Sequence, residues 1–351
     1  MSEESALLPV DLASERDLPS ILRLAATEYQ PPVTSEAHWR WRYFDNPVAK
    51  AAVYVARNDA GAVVAMQPVS EYSMIARGTR RRVQLLTGAI THRDYRRRGL
   101  FREIINRIEK DLGQQGDFFM YTFPNEMSAK GFRGFAGWHQ RELLTLYVRP
   151  LSLWNLRKHD VELPAMTASS CSMSNDQRAD LTLKEIDSFD METDELLRRA
   201  LGPDAMYIHR SRKYLNWRYT SNPTAEYIIH TAEKDGKLDG YVVFRPKLLF
   251  GVRAGLIADL VASDRRVAFC LLRRAIRSAR ARQLSLLVLL CGSHNPNLSS
   301  LYANGFLRVP RHLLPRQFYL FVNARHETGS HPLEAIAASP WLVTWGDIDV
   351  I

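Results

Sequence analysis

The chain has 351 residues, 46% of them apolar and 24% charged, and a formal net charge of +9. These are ordinary globular values, and the length suits two domains, each able to bury its own core; three scattered cysteines without metal-ligand spacing exclude a disulfide framework or a zinc site and fit a reducing cytoplasm. The arginine-rich positive balance suits an anionic partner, such as a phosphorylated cofactor, an acidic carrier protein or nucleic acid, and is also what plain solubility would produce.

Residues 1–10 lack a basic stretch followed by an apolar core, so no secretory signal is expected. A short strand over 10–13 leads into a helix with Asp17 as its expected N-cap and Pro19 in its first turn. Leu18, Ile21, Leu22, Leu24 and Ala25 form its apolar face. The next feature is repeated. Trp41-Arg42-Tyr43-Phe44-Asp45-Asn46-Pro47 returns as Trp217-Arg218-Tyr219-Thr220-Ser221-Asn222-Pro223. Each copy is followed by two apolar, β-branched runs about a Gly-containing turn, 52–56 and 63–66 in the first, 227–230 and 240–244 in the second. A repeat of roughly 175 residues is far longer than a solenoid unit and implies a duplicated domain. Within the motif, Asn-Pro ends a helix and the Trp and Tyr pack it onto a sheet. A substrate-binding role for Arg42 or Arg218 is the alternative reading.

Residues 85–92 read as a buried strand. A basic loop follows, Arg93 to Phe101, and then a helix with Ile104, Ile105, Ile108 and Leu112 at helical spacing. A strand that ends in a Gly-containing basic loop at a helix start suits phosphate oxygens: the first-turn N–H groups are unpaired, Gly99 lets the backbone approach, and arginines add charge-assisted bonds. A solvated basic turn is the plainer alternative. A strand over 117–123 then ends at Pro124-Asn125, followed by a short helix and Gly137-Trp138. Residues 166–178 are rich in Ser, Thr, Asn and Asp and read as linker. The second half restarts with a strand at 181–183 and a helix at 193–201. Where the basic loop should recur it has Ser263-Asp264-Arg265-Arg266-Val267-Ala268, with no glycine. Cys270 and Cys291 lie in apolar surroundings and read as core residues. The longest apolar run, 284–291, is far short of the ~20 residues that span a bilayer, and no membrane span is expected. The tail, 340–349, is apolar and aromatic and is expected to dock.

Arg96-Arg97-Arg98-Gly99-Leu100-Phe101 resembles the Q/R-x-x-G-x-G/A loop of GNAT acetyltransferases, which holds the coenzyme A pyrophosphate. Phe101 stands where Gly or Ala is usual. The Phe-Pro-Asn end of the next strand also resembles the family, in a branch associated with polysaccharide or amino-sugar modification. The resemblance implies an α/β (α+β) fold of two tandem GNAT-like domains, each a mixed twisted sheet flanked by helices. Residues 1–150 would be the acyl-CoA-binding domain, 151–180 a linker, 181–325 a degenerate GNAT-like domain and 326–351 the docked tail. Tandem GNAT proteins such as N-myristoyltransferases combine two halves around one site, so the second half would shape the acceptor pocket.

The resemblance further implies an N-acyltransferase that moves an acetyl or longer acyl group from acyl-CoA to a small amine, with an amino sugar as the suggested acceptor. Ile90, Thr91 and His92 would pair with the pantetheine arm. Backbone N–H groups from Arg97 to Leu100 and Phe101, with Arg96, Arg97 and Arg98, would hold the pyrophosphate at Gly99, and Asn125 would line the cofactor site. Glu71, His92 and Glu126 are the candidate bases. The tyrosine that protonates the leaving thiolate in many family members is not evident; Arg133 stands near its place. A variant using acyl carrier protein and a non-catalytic CoA-binding protein are the alternatives. Nucleic-acid binding through Arg77, Arg80 to Arg82 and Arg96 to Arg98 finds no base-reading motif.

Overall fold

The structure, a computed structural model, describes residues 8–29, 35–49, 51–116, 118–152, 176–178, 180–249, 251–325 and 339–348. In chain order, the first elements are β1 (Val10–Leu12), α1 (Leu18–Glu28), α2 (Glu36–Trp39), β2 (Ala51–Arg57), β3 (Val63–Ala76), β4 (Thr79–Leu86), β5 (Ile90–Thr91), α3 (Leu100–Gly113), β6 (Phe118–Thr122), α4 (Glu126–Phe132) and β7 (Trp138–Leu143). Then follow β8 (Thr145–Pro150), β9 (Asp176–Arg178), β10 (Leu181–Ile186), α5 (Asp194–Leu201), β11 (Met206–Ile208), α6 (Arg212–Leu215), β12 (Ile228–Lys234), β13 (Lys237–Leu249) and β14 (Val252–Ala262). The chain ends with α7 (Arg265–Ala281), β15 (Leu286–Cys291), α8 (Leu298–Ala303), β16 (Leu307–Arg308) and β17 (Tyr319–Arg325).

These elements form two compact units, Met1–Leu143 with Arg316–Ser339, and Leu144–Pro315 with Pro340–Ile351. The first contains a mixed sheet in the order β1-β2-β3-β4-β6-β17-β7, with β5 on β3; β4 and β6 run parallel. The period-2 pattern sets its two faces. Val53 and Val55 point to one core with α1 residues Leu18, Ile21 and Leu24, while Tyr54 and Ala56 point to the other with α3 residues Ile104, Ile105 and Ile108. The second unit repeats the plan in the order β16-β8-β15-β14-β13-β12-β10-β9, with β14 and β15 parallel. There α7 packs Val267, Leu271, Leu272, Ala275 and Ala279 at helical spacing against β13 and β14 residues such as Val242 and Leu260.

Chain order and unit membership part ways at two strands. Residues 145–150, which the sequence groups with the first half, form β8 between β15 and β16 of the second sheet. Residues 319–325, grouped with the second half, form β17 between β6 and β7 of the first. Alternating patterning tells which face of a strand is buried but not which neighbour it pairs with. Asp17 stands at the N-cap of α1 with Pro19 in the first turn, as expected, but its side chain makes no cap bond to that helix. Its carboxylate instead accepts from Ser14 N at 2.8 Å, closing a capping box at Ser14, and pairs with Arg57 at 3.0 Å. Cys291 is fully buried and Cys270 packs at the edge of the same core, while Cys171 lies outside the described residues. Trp341, Leu342, Val343 and Trp345 of the tail are buried in the second unit. No helix among the described residues is long and apolar enough to cross a membrane.

Candidate active site

The first sheet opens where β4 gives way to β5. β4 and β6 pair through Gln84–Met120, Leu85–Tyr121 and Leu86–Thr122, and the pairing stops there. On β3 the register jumps from Val69 opposite Leu86 to Met66 opposite Ile90, so residues 87–89 bulge from the ladder. Thr122 Oγ1 donates to Leu86 O at 2.7 Å and closes the last rung. Gln67 is buried, and its Nε2 donates to Pro68 O at 2.7 Å and Thr87 O at 3.1 Å, which props the bulge. Gly88 has φ +70°, and a Cβ there would meet Tyr43 Oη at 2.9 Å; a larger residue fits neither the backbone nor the space. Tyr29 Oη is next to the same point, and burial, then the neighbouring Tyr43, push its phenol well above the usual range.

After β5 the chain turns through a 3₁₀ turn, Arg93–Tyr95, and enters α3. Two residues of this loop are left-handed, Arg97 at φ 62° and Gly99 at φ 80°. Gly99 is the N-cap of α3 and contributes no side-chain cap. The first bonded helical amide is Glu103 N, which donates to Gly99 O at 3.0 Å. The N–H groups of Leu100, Phe101 and Arg102 precede it and are the unpaired donors that a helix start leaves. Arg97 and Arg98 are exposed and make no ion pair among the described residues; the Arg98 guanidinium lies 5.1 Å from the centre of the Tyr95 ring. The loop is tied down by a residue that sequence reasoning missed. Glu28, whose side chain is 5% exposed at the end of α1, accepts from Arg93 N at 3.0 Å and pairs with the side chains of Arg93 and Arg96. Burial alone would raise its carboxyl; the Arg93 amide bond and the Arg96 and Arg93 charges outweigh that and hold it below its ordinary 4.5. One signal existed: a carboxylate in the last turn of a helix opposes the macrodipole and implies an outside partner. Arg96 Nε also donates to Thr91 O at 3.1 Å.

An opened parallel pair, a bulge beside it and an uncapped helix start fed by the same strand lie within residues 84–122. Residues 9–139 match the family described as acetyltransferase (GNAT) domain. Residues 9–139 form a GNAT domain. No functionally curated protein is similar to the chain in sequence. Solved structures similar in fold include a conserved protein of unknown function from Enterococcus faecalis, described as a probable N-acyltransferase. It is 13% identical, with a TM-score of 0.62 over 90% of this chain and 72% of that one. A GCN5-related N-acetyltransferase from Anabaena variabilis is 12% identical, with a TM-score of 0.60 over 90% and 72%. The N-myristoyltransferase of Saccharomyces cerevisiae, solved with myristoyl-CoA, is 12% identical, with a TM-score of 0.59 over 99% and 92%. The likeness in fold therefore extends beyond the GNAT domain to the second unit.

Phe101, the departure from the family loop, packs toward α4. Its ring packs on Phe132 (5.4 Å between centroids) and Phe135 (5.6 Å) and lies against Gly131 of α4. The candidate bases are spread out. Glu71 is opposite Gln84, two ladder positions before the opening, and its carboxylate is 3.9 Å from Arg82. The backbone N–H of His92 bonds Val64 O, seven residues back along β3, which puts Glu71 and His92 roughly 23 Å apart at about 3.3 Å per residue. They cannot act on one atom. The His92 ring caps its own turn, Nδ1 accepting from Asp94 N at 3.3 Å. Glu126 is exposed in the first turn of α4, and Asn125 caps that helix by accepting from Ser128 N at 2.9 Å. Arg133 lies over the rings of Tyr319 and Phe321 of β17 and bonds Gln140 at 3.1 Å. In the second unit the corresponding helix start is closed: Asp264 caps α7, accepting from Val267 N at 2.9 Å.

Proposed function

We propose that the chain is an N-acyltransferase that takes an acetyl or longer acyl group from acyl-CoA at its GNAT domain and passes it to a small amine. The observation that carries the reading is the contrast between two helix starts. α3 begins on a left-handed glycine with its first amides unpaired, beside an opened parallel pair; α7 begins on an aspartate that satisfies and charges its own end. A diphosphate fits the first and is repelled by the second. In this reading the backbone of Ile90, Thr91 and His92 pairs with the pantetheine arm. The amides from Arg97 to Phe101 and the arginines at 96, 97 and 98 hold the pyrophosphate, and Asn125 borders the site. The acceptor nitrogen loses a proton to a base, for which Glu71, two ladder positions before the opening, His92 and Glu126 are the candidates. Its lone pair then forms the C–N bond as the C–S bond breaks, and the thiolate leaves with a proton from solvent.

The test is release of thiol from acetyl-CoA, longer acyl-CoAs and an acyl carrier protein thioester, each offered with amino sugars and other primary amines. Turnover with one donor class, dependent on the amine, is the expected result. CoA binding without turnover over the whole panel would favour a non-catalytic binding protein, and absence of CoA binding would end the proposal.

A further inference from the structure

The two Trp-Arg-Tyr copies adopt the same local structure. Each begins on a serine-capped helical turn: Ser35 Oγ accepts from His38 N and Ser211 Oγ from Tyr214 N, both at 3.2 Å. Each runs into a π-helical turn closed by Asp45 N to Arg40 O (2.7 Å) or Ser221 N to Asn216 O (2.9 Å). Each ends on an asparagine whose Oδ1 accepts the N–H two residues on, at 3.0 Å in both. Such turns are rare and recur at functional sites. The central arginines, Arg42 and Arg218, are equally buried, 6% exposed.

In the second unit the partner of this arginine is a peptide. Arg218 Nε donates to Gly346 O at 3.1 Å, and a terminal nitrogen donates to Ile348 O at 2.9 Å. The peptide lies where the second sheet opens. Thr344 bridges to Cys291 at the end of β15, and a Cβ on Gly346 would meet Tyr219 Oη at 2.2 Å and Ala258 O at 3.2 Å. Ala258 follows Ile257–Leu289, the last parallel pair. The segment is held further by Arg210, which bonds Asp259 at 2.7 Å and Asp347 at 2.8 Å. In the GNAT domain the equivalent points coincide. A terminal nitrogen of Arg42 donates to Thr87 Oγ1 at 3.3 Å, Thr87 follows the last parallel pair Leu86–Thr122, and Tyr43 Oη stands over Gly88. Thr87 and Gly88 are half-exposed and Ala89 is exposed.

We infer that Arg42 recognises the acceptor, and that the acceptor is an amine carrying an amide carbonyl or carboxylate near its nitrogen, of amino-acid or peptide type, laid extended along Thr87 to Ala89. The tail segment Thr344 to Ile348 is the internal stand-in for it: the same arginine, at the same opening, reads main-chain carbonyls. The guanidinium suits that task because its planar donors fork onto carbonyl or carboxylate oxygens. This rests on the acyl-transfer reading and narrows its acceptor.

The probes are glycylglycine, glucosamine and ethanolamine, with the intact chain and its Arg42→Met and Arg42→Lys variants. Acetylation of glycylglycine is expected at kcat/KM about tenfold or more above the other two. Arg42→Met should raise its KM about tenfold with kcat changed by less than about threefold, and Arg42→Lys should recover part of the loss. Calorimetric titration of glycylglycine without donor gives a second readout, with affinity about tenfold weaker in Arg42→Met. Equal use of glycylglycine and ethanolamine by the intact chain overturns the inference and needs no variant. A preference unchanged in a folded Arg42→Met protein overturns it too. Absence of acetyl-CoA binding would sink the acyl-transfer reading instead, and the donor-free titration would still decide what Arg42 binds.

Discussion

Gly99→Asp places a carboxylate at the proposed diphosphate site, and its effect can be worked out. Gly99 sits at φ 80°, ψ −7°, which costs a residue with a side chain about 1–2 kcal/mol, least for Asn and Asp. That cost is paid in folding and is shared by Gly99→Asn, which has the shape without the charge. A diphosphate on the α3 amides would lie about 5 Å from the new carboxylate. Two like unit charges at that distance repel by about 0.8 kcal/mol in bulk water and about 3 kcal/mol at an effective dielectric of 20. The loop is exposed, so values toward the water end apply. Two phosphate charges then give about 2–3 kcal/mol, or about 30- to 150-fold in Kd. Titration calorimetry with acetyl-CoA should show this loss for Gly99→Asp and less than about threefold for Gly99→Asn, with the Asp penalty shrinking as salt is raised. An Asp variant that binds within about threefold of the intact chain, or an Asn variant that loses as much as Asp, would refute the reasoning.

Glu28→Gln should loosen the loop from α1 and weaken acetyl-CoA binding by about tenfold, near the 1.5–3 kcal/mol of a charge-assisted bond shared between folding and binding. Because the Glu28 carboxyl is depressed in the folded chain, its contribution is complete above 4.5 and is lost as pH falls through its lower folded value. The affinity difference between the two proteins should therefore shrink as pH falls below 4.5 and vanish once the carboxyl is protonated; a difference that persists after Glu28 is shown protonated in the folded chain would count against the anchor. His230, fully buried, is pushed down to about 3 by burial and then by the charges of Arg274, Arg282 and Arg277. The unfolded chain takes up its proton below about 6.5, so stability falls as pH drops from there toward 3, by about 2 kcal/mol at pH 5. Urea unfolding of His230→Leu at pH 8 and pH 5 should lose that share of the slope; parallel losses in both proteins would contradict it. Glu71→Gln should lower kcat by about 100-fold or more with acetyl-CoA affinity unchanged, if it is the base; an unaltered rate moves the role elsewhere.

How far the sequence reaches depends on how local the physics is. The basic loop and the uncapped helix start after it were legible because strand, glycine, arginines and helix start are consecutive within about a dozen residues. The likeness of the two motif copies was legible because Trp, Arg, Tyr, Asn and Pro recur at fixed spacing, and both copies adopt the same turn. Asp264 was legible as hostile to phosphate, although its bond to Val267 N needed coordinates. Phe101 read as a flaw in the loop until its ring was seen on Phe132 and Phe135. Tertiary structure alone decided the rest. Glu28 reaches Arg93 across 65 positions, Tyr43 covers Gly88, and Arg218 holds Gly346 across 128. β8 and β17 each pair with strands that their place in the chain does not suggest. A side-chain pattern records which face of an element is buried and how its ends are capped, because those follow from backbone geometry over a few residues. It carries no record of which distant edge supplies the hydrogen bonds, since backbone donors and acceptors are alike at every position and only the folded arrangement chooses among them.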